Sequence, residues 1–258
     1  MSRARPPDLL LANSYFMAYD RKDERIEGPF APLGPLYIAA CIREAGLVPG
    51  FFDGTHARSL QDFGNTLDAV RPRAVGLYAT VISRDVALKM AHMAQARGIP
   101  VVAGGPDPSS APHVYLQGGH VDAVARGEGE VTGIELARHF AGLGSGDLHE
   151  IQGLSIMEHD SLVHTPDRPY VQDLDSVPYP ARDLVDWPAY AETTRRFHGA
   201  SQTTVMTARG CPFRCTWCCK PIFGEKYRHR SAKNVVGEML ELKERYKPDM
   251  IRFADDIF

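Results

Sequence analysis

Long apolar runs are missing from this chain. No stretch approaches the roughly eighteen consecutive apolar residues that a membrane-spanning helix requires, so no membrane span is expected. Near the N-terminus, Leu9-Leu10-Leu11-Ala12 is too short for the apolar segment of a secretory signal. Charge of one sign is not in excess either. The 29 Lys and Arg stand against 32 Asp and Glu, interspersed, for a net charge of −3. The basic footprint of a nucleic-acid binder is therefore absent, and no nucleic-acid partner is expected. Cysteine is sparse, 5 in 258 residues. That count argues against a secreted disulfide framework and fits a reducing, cytoplasmic setting. Internal repeats and low-complexity tracts are also lacking.

What the sequence does contain is alternation. Short apolar runs at Asp8–Asn13, Val48–Asp53, Ala74–Tyr78, Ile99–Ala103 and Val121–Ala125 read as strands. Between them, Leu36–Ala45, Leu60–Val70 and Val86–Ala96 have helical spacing, and a further helix runs to about Leu143. Strands alternating with helices of this length imply βαβ units and a doubly wound parallel sheet of the α/β class. In such sheets ligands bind beyond the carboxyl ends of the strands. Those ends carry Asn13, Asp53, Thr80 with Ser83, Gly104-Gly105-Pro106 and Gly127-Glu128. Glycines there let the backbone come close to a large flat ligand. The pattern changes after about residue 145. A hairpin is expected around Glu158-His159-Asp160-Ser161, then a proline-rich extended connector from Val177-Pro178 to Trp187-Pro188. Beyond residue 200, Thr203–Ala208, Val235–Tyr246 and Met250–Ala254 read as one βαβ unit. A single unit leaves an open edge, so the expectation is a fragment or a partner chain that completes it. The boundaries are thus 1–145, 146–200 and 201–258.

The three clustered cysteines, Cys211, Cys215 and Cys218, follow a strand directly. Thiols spaced C-x3-C-x2-C can converge on one inorganic centre and leave a coordination position open. A closed structural zinc site needs four ligands, whereas an iron–sulfur cubane held by three thiolates has one iron free. A zinc knuckle and a Cys215/Cys218 redox pair are the alternatives. Cys219 is adjacent to Cys218 and poorly placed to share its metal, and Cys41 lies in another domain. Lys226-Tyr227-Arg228-His229-Arg230 reads as a solvated loop, with an anionic substrate as the lesser possibility.

Cys211-x3-Cys215-x-Trp217-Cys218 resembles the cluster loop of the radical SAM enzymes. The resemblance implies a [4Fe–4S] cluster on these three thiolates, with the open iron chelating S-adenosylmethionine. It places the Trp217 backbone against the adenine and offers Asp255 and Asp256 for the amino group, a loop or helix cap being the alternative for those acids. The upstream segments Pro35–Ala40, Asp53, Ala103–Pro106, Val121-Asp122 and Gly127–Glu130 are similar to the cobalamin-binding domain found ahead of many radical SAM barrels. Asp173–Asp183 is similar to the connector of that family. The D-x-H-x-x-G loop that supplies a lower cobalt ligand in many cobalamin domains is absent. Cobalamin is therefore expected without histidine ligation.

The resemblance implies a Rossmann-like domain, a connector and the start of a radical SAM barrel. It implies reductive cleavage of S-adenosylmethionine to a 5′-deoxyadenosyl radical, methyl transfer to an unactivated carbon, a small-molecule substrate, and an electron donor such as flavodoxin or ferredoxin. The rival readings are a non-catalytic cobalamin or iron–sulfur binding module and a nicotinamide-dependent oxidoreductase. The last is disfavoured because Thr132 stands where a dinucleotide fingerprint needs its third glycine.

Overall fold

The computed structural model describes residues 5–20, 29–144, 146–216, 218 and 220–257. The chain enters through β1 (Leu9–Asn13), every residue of which is buried. Leu9 and Leu11 pack on one face with Ala39, Ile42 and Ala137, while Leu10 and Ala12 pack on the other with Phe63, Leu77 and Met90. A strand covered on both faces has no polar alternation, which is why this run is apolar throughout.

The succession continues through α1 (Leu33–Glu44), β2 (Pro49–Asp53), α2 (Leu60–Val70), β3 (Val75–Tyr78), α3 (Arg84–Gln95) and β4 (Val101–Gly104). Two short helices, α4 (Pro106–Ser110) and α5 (Pro112–Leu116), precede β5 (Ala123–Ala125) and α6 (Glu130–Phe140). The five strands are parallel in the order β2-β1-β3-β4-β5. The winding reverses between β1 and β3, and that switch point is where an open α/β sheet offers a crevice. All five expected strands are present, each within two residues of its expected ends.

The expected hairpin is β6 (Leu154–Glu158) and β7 (Ser161–His164), and it does not stand apart. β6 pairs antiparallel with β5, extending the sheet to seven strands. His159 and Asp160 both have positive φ, 43° and 65°, the conformation that a two-residue hairpin turn needs to match strand twist.

The connector differs from its extended reading in two places, a short 3-10 turn over Arg182–Leu184 and a helix. Pro188 begins helix α7 (Trp187–His198), capped by Asp186, whose Oδ1 accepts from the Ala189 amide at 3.2 Å. Proline is tolerated in the first helical turn because its missing N–H has no partner there. The expected strand Thr203–Ala208 is also broken, into β8 (Gln202–Val205) and β9 (Ala208–Arg209). The Asp255 carboxylate takes the amide protons of Thr207 and Ala208 at 2.6 and 3.0 Å, which bends the chain off its ladder. β9 pairs antiparallel with β10 (Arg228–His229). Then α8 (Ala232–Glu241), N-capped by Ser231, continues through one wide turn, Leu242–Tyr246, to β11 (Met250–Phe253) parallel to β8.

Candidate functional site

The sheet's carboxyl edge divides into used and open positions. Asn13 Nδ2 donates to Thr55 Oγ1 at 2.9 Å, and Asp53 Oδ2 accepts from the Tyr190 hydroxyl at 2.6 Å, latching α7 to the end of β2. Thr80 and Ser83 close a capping box around an exposed turn, and the buried Ser83 hydroxyl also meets that of Ser14 at 2.8 Å. Gly105 is required where it stands. Its φ is 104°, and a Cβ would lie 2.7 Å from the Ala79 carbonyl. Pro106 then opens α4.

A cavity of about 210 Å3 runs from this edge inward between the sheet and helices α1 and α6. Leu9, Leu11, Leu77 and Val102 form its floor, and Ile38 and Leu136 its opposite wall. Seven glycines line it: Gly34, Gly76, Gly104, Gly105, Gly127, Gly129 and Gly133. At Gly133 a Cβ would fall 2.4 Å from Ile38 Cγ2. The helices therefore meet over bare backbone, and the space beside them is left by side chains that are not there. Burial pushes the Tyr37 hydroxyl at the cavity mouth up to about 12 and the Cys41 thiol of α1 likewise to about 12. Cys41 therefore stays a protonated packing residue.

Glu128, also at the mouth, faces protein. Its Oε1 accepts from Arg209 at 3.2 Å and from Arg228 at 2.8 Å, and its Oε2 takes the Val171 amide at 2.7 Å. Arg209 reaches Glu130 as well, at 2.6 Å. Between the rings of Tyr37 and Phe223, its guanidinium lies 5.3 and 5.1 Å from their centroids. Burial disfavours its charge, yet Glu130 and Glu128 more than offset this and hold it above the ordinary arginine value. All four charged groups are at least nine-tenths buried. A second cluster joins Glu238 of α8 to Arg182 of the connector at 2.6 Å and to Arg230. Arg228 and Arg230 are thus neither solvated nor free for an anion, which corrects the loop reading at those two positions, while Lys226, Tyr227 and His229 are exposed as expected. Arg228 found its buried carboxylate 100 positions away, which no local pattern announces, whereas Arg230 found Glu238 eight positions on, in the next helix.

The cysteine loop leaves β9 through Gly210. Its φ is 81°, and a Cβ would fall 2.3 Å from the Lys226 carbonyl. The Cys211 amide donates to the Gly224 carbonyl at 3.2 Å, and Lys220 Nζ donates to the Cys211 and Phe213 carbonyls at 2.9 and 2.6 Å. The root is pinned. Farther out, Cys215 and Cys218 are exposed and joined by one main-chain bond of 3.1 Å, while Cys211 is half-buried. Among the described residues no three His, Cys, Asp or Glu side chains are grouped to hold a metal ion. Trp217 and Cys219 lie outside the described residues. Asp255 caps the Thr207 turn with both oxygens, and Asp256 accepts from the Gly210 amide at 3.3 Å. Both acids therefore brace the strand that leads into the loop. Among the described residues no helix is long and apolar enough to cross a membrane.

Residues 24–137 match the B12 binding domain family. An uncharacterized methyltransferase of Pyrococcus horikoshii is 34% identical over 233 residues, 88% of this chain and 49% of that protein. The radical S-adenosylmethionine methyltransferase TsrM of Kitasatospora setae superposes with a TM-score of 0.73 at 20% identity, over 96% of this chain and 47% of its own. The cobalamin-dependent S-adenosylmethionine radical enzyme OxsB superposes at 0.79 and 18% identity, over 98% of this chain and 34% of its own. The chain thus spans about half or less of the length of these proteins. Residues 24–137 are thus similar to the B12 binding domain family, and nearly all of the chain shares the fold of TsrM and OxsB.

Proposed function

We propose that this chain is the cobalamin-binding part, with the cluster loop, of a radical S-adenosylmethionine enzyme that transfers a methyl group to an unactivated carbon. The units are a cobalamin domain over 1–145, a connector over 146–200 and the beginning of a barrel over 201–258. One observation carries the reading. A glycine-walled cavity at the switch point of a B12-binding domain opens beside the residue that leads into three clustered thiols.

The cavity suits one part of the proposed ligand. At about 210 Å3 it is smaller than the roughly 300–1,000 Å3 of sites for drug-sized ligands. It therefore suits a flat aromatic appendage, such as the nucleotide base of cobalamin, with the corrin ring on the edge outside. Gly104, Gly105 and Gly127 would bring backbone against that ring, with Thr80, Ser83 and Pro106 beside them. Both Glu128 oxygens are engaged by Arg209, Arg228 and Val171, so Glu128 shapes the mouth from behind.

The donor set of the loop is soft and threefold. Cys211, Cys215 and Cys218 would hold a [4Fe–4S] cluster, and loading would draw the exposed thiols together, since metal binding and loop order are coupled. Trp217 is the candidate backbone contact for the adenine. Asp255 and Asp256 hold the strand beneath, where their oxygens accept from Thr207, Ala208 and Gly210. When bound, the cluster supplies an electron to S-adenosylmethionine and the cobalamin carries a methyl group. The substrate is a small molecule, and the electron comes from a cytoplasmic carrier such as flavodoxin or ferredoxin.

Anaerobic reconstitution tests this. The expected product holds about four irons per chain and retains cobalamin with a base-off absorption spectrum. One zinc and no iron would overturn the cluster. Cobalamin retained without iron would leave a binding module, and tight NAD binding in place of cobalamin would overturn the first domain's role.

A further inference from the structure

Arg209 occupies a place that neither the cavity nor the cysteine loop accounts for alone. With Tyr37, Glu128, Glu130 and Phe223 it lines the cavity mouth. Its side chain is 4% exposed and forks between Glu130 at 2.6 Å and Glu128 at 3.2 Å. On the other side, its backbone pairs with Arg228 in the β9–β10 ladder, and the next two residues are Gly210 and Cys211. The Gly210 and Cys211 amides are themselves bonded, to Asp256 and to the Gly224 carbonyl. The chain from cavity mouth to first thiol therefore has no slack.

Stability is a poor explanation for this arrangement. Removing four charges from water cancels most of their mutual attraction, and apolar packing commonly serves as well or better. What a guanidinium adds is geometry, because its rigid fork fixes two carboxylates at once. A lysine in its place supplies the same charge from a single nitrogen, without the planar fork that fixes the two acids relative to each other. Glu128 lies in the loop before α6 and Glu130 opens that helix, so whatever seats itself against this turn bears on Arg209.

We infer that Arg209 is a positioning residue that locks the root of the cysteine loop to the cavity mouth, so that cavity occupancy and the arrangement of the three thiols depend on each other. The inference rests on the proposed function, in which the cavity takes cobalamin and the thiols take a cluster. The dependence is reciprocal: a ligand that restrains the thiols binds more tightly, by the same factor, once the thiols are restrained.

The test uses the full chain, cluster-free and reduced. Iodoacetamide alkylation of Cys211, Cys215 and Cys218 is followed by peptide mass spectrometry, with and without saturating cyanocobalamin. In the wild type, cyanocobalamin should slow alkylation roughly tenfold. In Arg209→Lys, cyanocobalamin should still bind while the alkylation rate no longer responds to it. Equal protection in Arg209→Lys would overturn the inference, because the corrin would then be shielding the thiols by contact alone. Bound cyanocobalamin without protection in the wild type would overturn it too. A wild-type chain that leaves gel filtration without a corrin spectrum would instead overturn the reading beneath it. Glu130→Gln keeps a neutral acceptor for Arg209 and serves if Arg209→Lys melts at low temperature. It should show protection between wild type and none, and full protection would overturn the inference.

Discussion

The cavity between the sheet, α1 and α6 and the loop from Gly210 to Lys220 differ in what their sequences supply. The cavity is made by omission. Seven glycines and a few aliphatic side chains leave space, and the charged groups around its mouth are already paired with one another. The loop is made by addition, with three thiols on a short span, two of them exposed. Its main chain is tied at one end by Gly224 and Lys220. A space held open by packing exists before its occupant arrives, whereas a ring of donors takes its final form as the metal binds. The two halves of the proposed chemistry should therefore respond differently to the same kind of damage: the cavity to added bulk, the loop to lost donors.

The largest expected effect lies at the loop. Cys215→Ala should reduce iron from about four per chain to near zero in reconstitution assays, with cobalamin binding weakened by no more than the roughly tenfold coupling between the two sites. Iron binding that survived the change would erase the contrast between the two regions. Next comes Glu128→Ala, which leaves Arg209 with one acid and Arg228 with none. Breaking a buried network from one side costs about 3–5 kcal/mol, measurable as a drop in the urea midpoint. Gly104→Leu should act first on the cavity, whose lining it belongs to. A Cβ there meets nothing nearer than 3.7 Å, so bulk can be added without backbone strain. Cobalamin should bind roughly tenfold more weakly, about 1.4 kcal/mol, while iron loading stays intact.

The smallest effect belongs to the exposed pair Arg43–Asp183, at 2.8 Å. Arg43 holds the Asp183 carboxyl below the usual 3.8. Its contribution is present above pH 3.8 and is lost as pH falls through the lower folded value. Solvent screening keeps it under about 1 kcal/mol. The melting temperature of wild type and Asp183→Asn should therefore converge in acid and differ slightly at neutral pH.

The local features of both regions were legible in the sequence. β1 to β5 announce themselves as apolar runs because both faces of the sheet are covered, and the cysteine spacing stands out because four of the five cysteines fall between positions 211 and 219. Interactions across the chain were not legible. Glu128 lies 100 positions from Arg228 and 81 from Arg209, and a GEGE loop gives no sign of which cation it will meet. The break at Thr207 depends on Asp255, 48 positions later. The helix at Trp187 was hidden because Pro188 reads as a breaker unless its place in the first turn is known. In each case a short motif was visible and its partner was not.

The separation between Glu128 and Arg228 also bears on biosynthesis. A chain that emerges N-terminus first presents the cavity, its glycines and both mouth carboxylates a hundred residues before the second arginine that neutralises them. At about 5–20 residues per second, that interval is on the order of 5–20 seconds. Unpaired carboxylates stay hydrated, so through that window the mouth carboxylates face water, and Glu128 gains its second arginine when β10 docks. The domain that holds the cavity is thus built early, and the charges at its mouth are paired late.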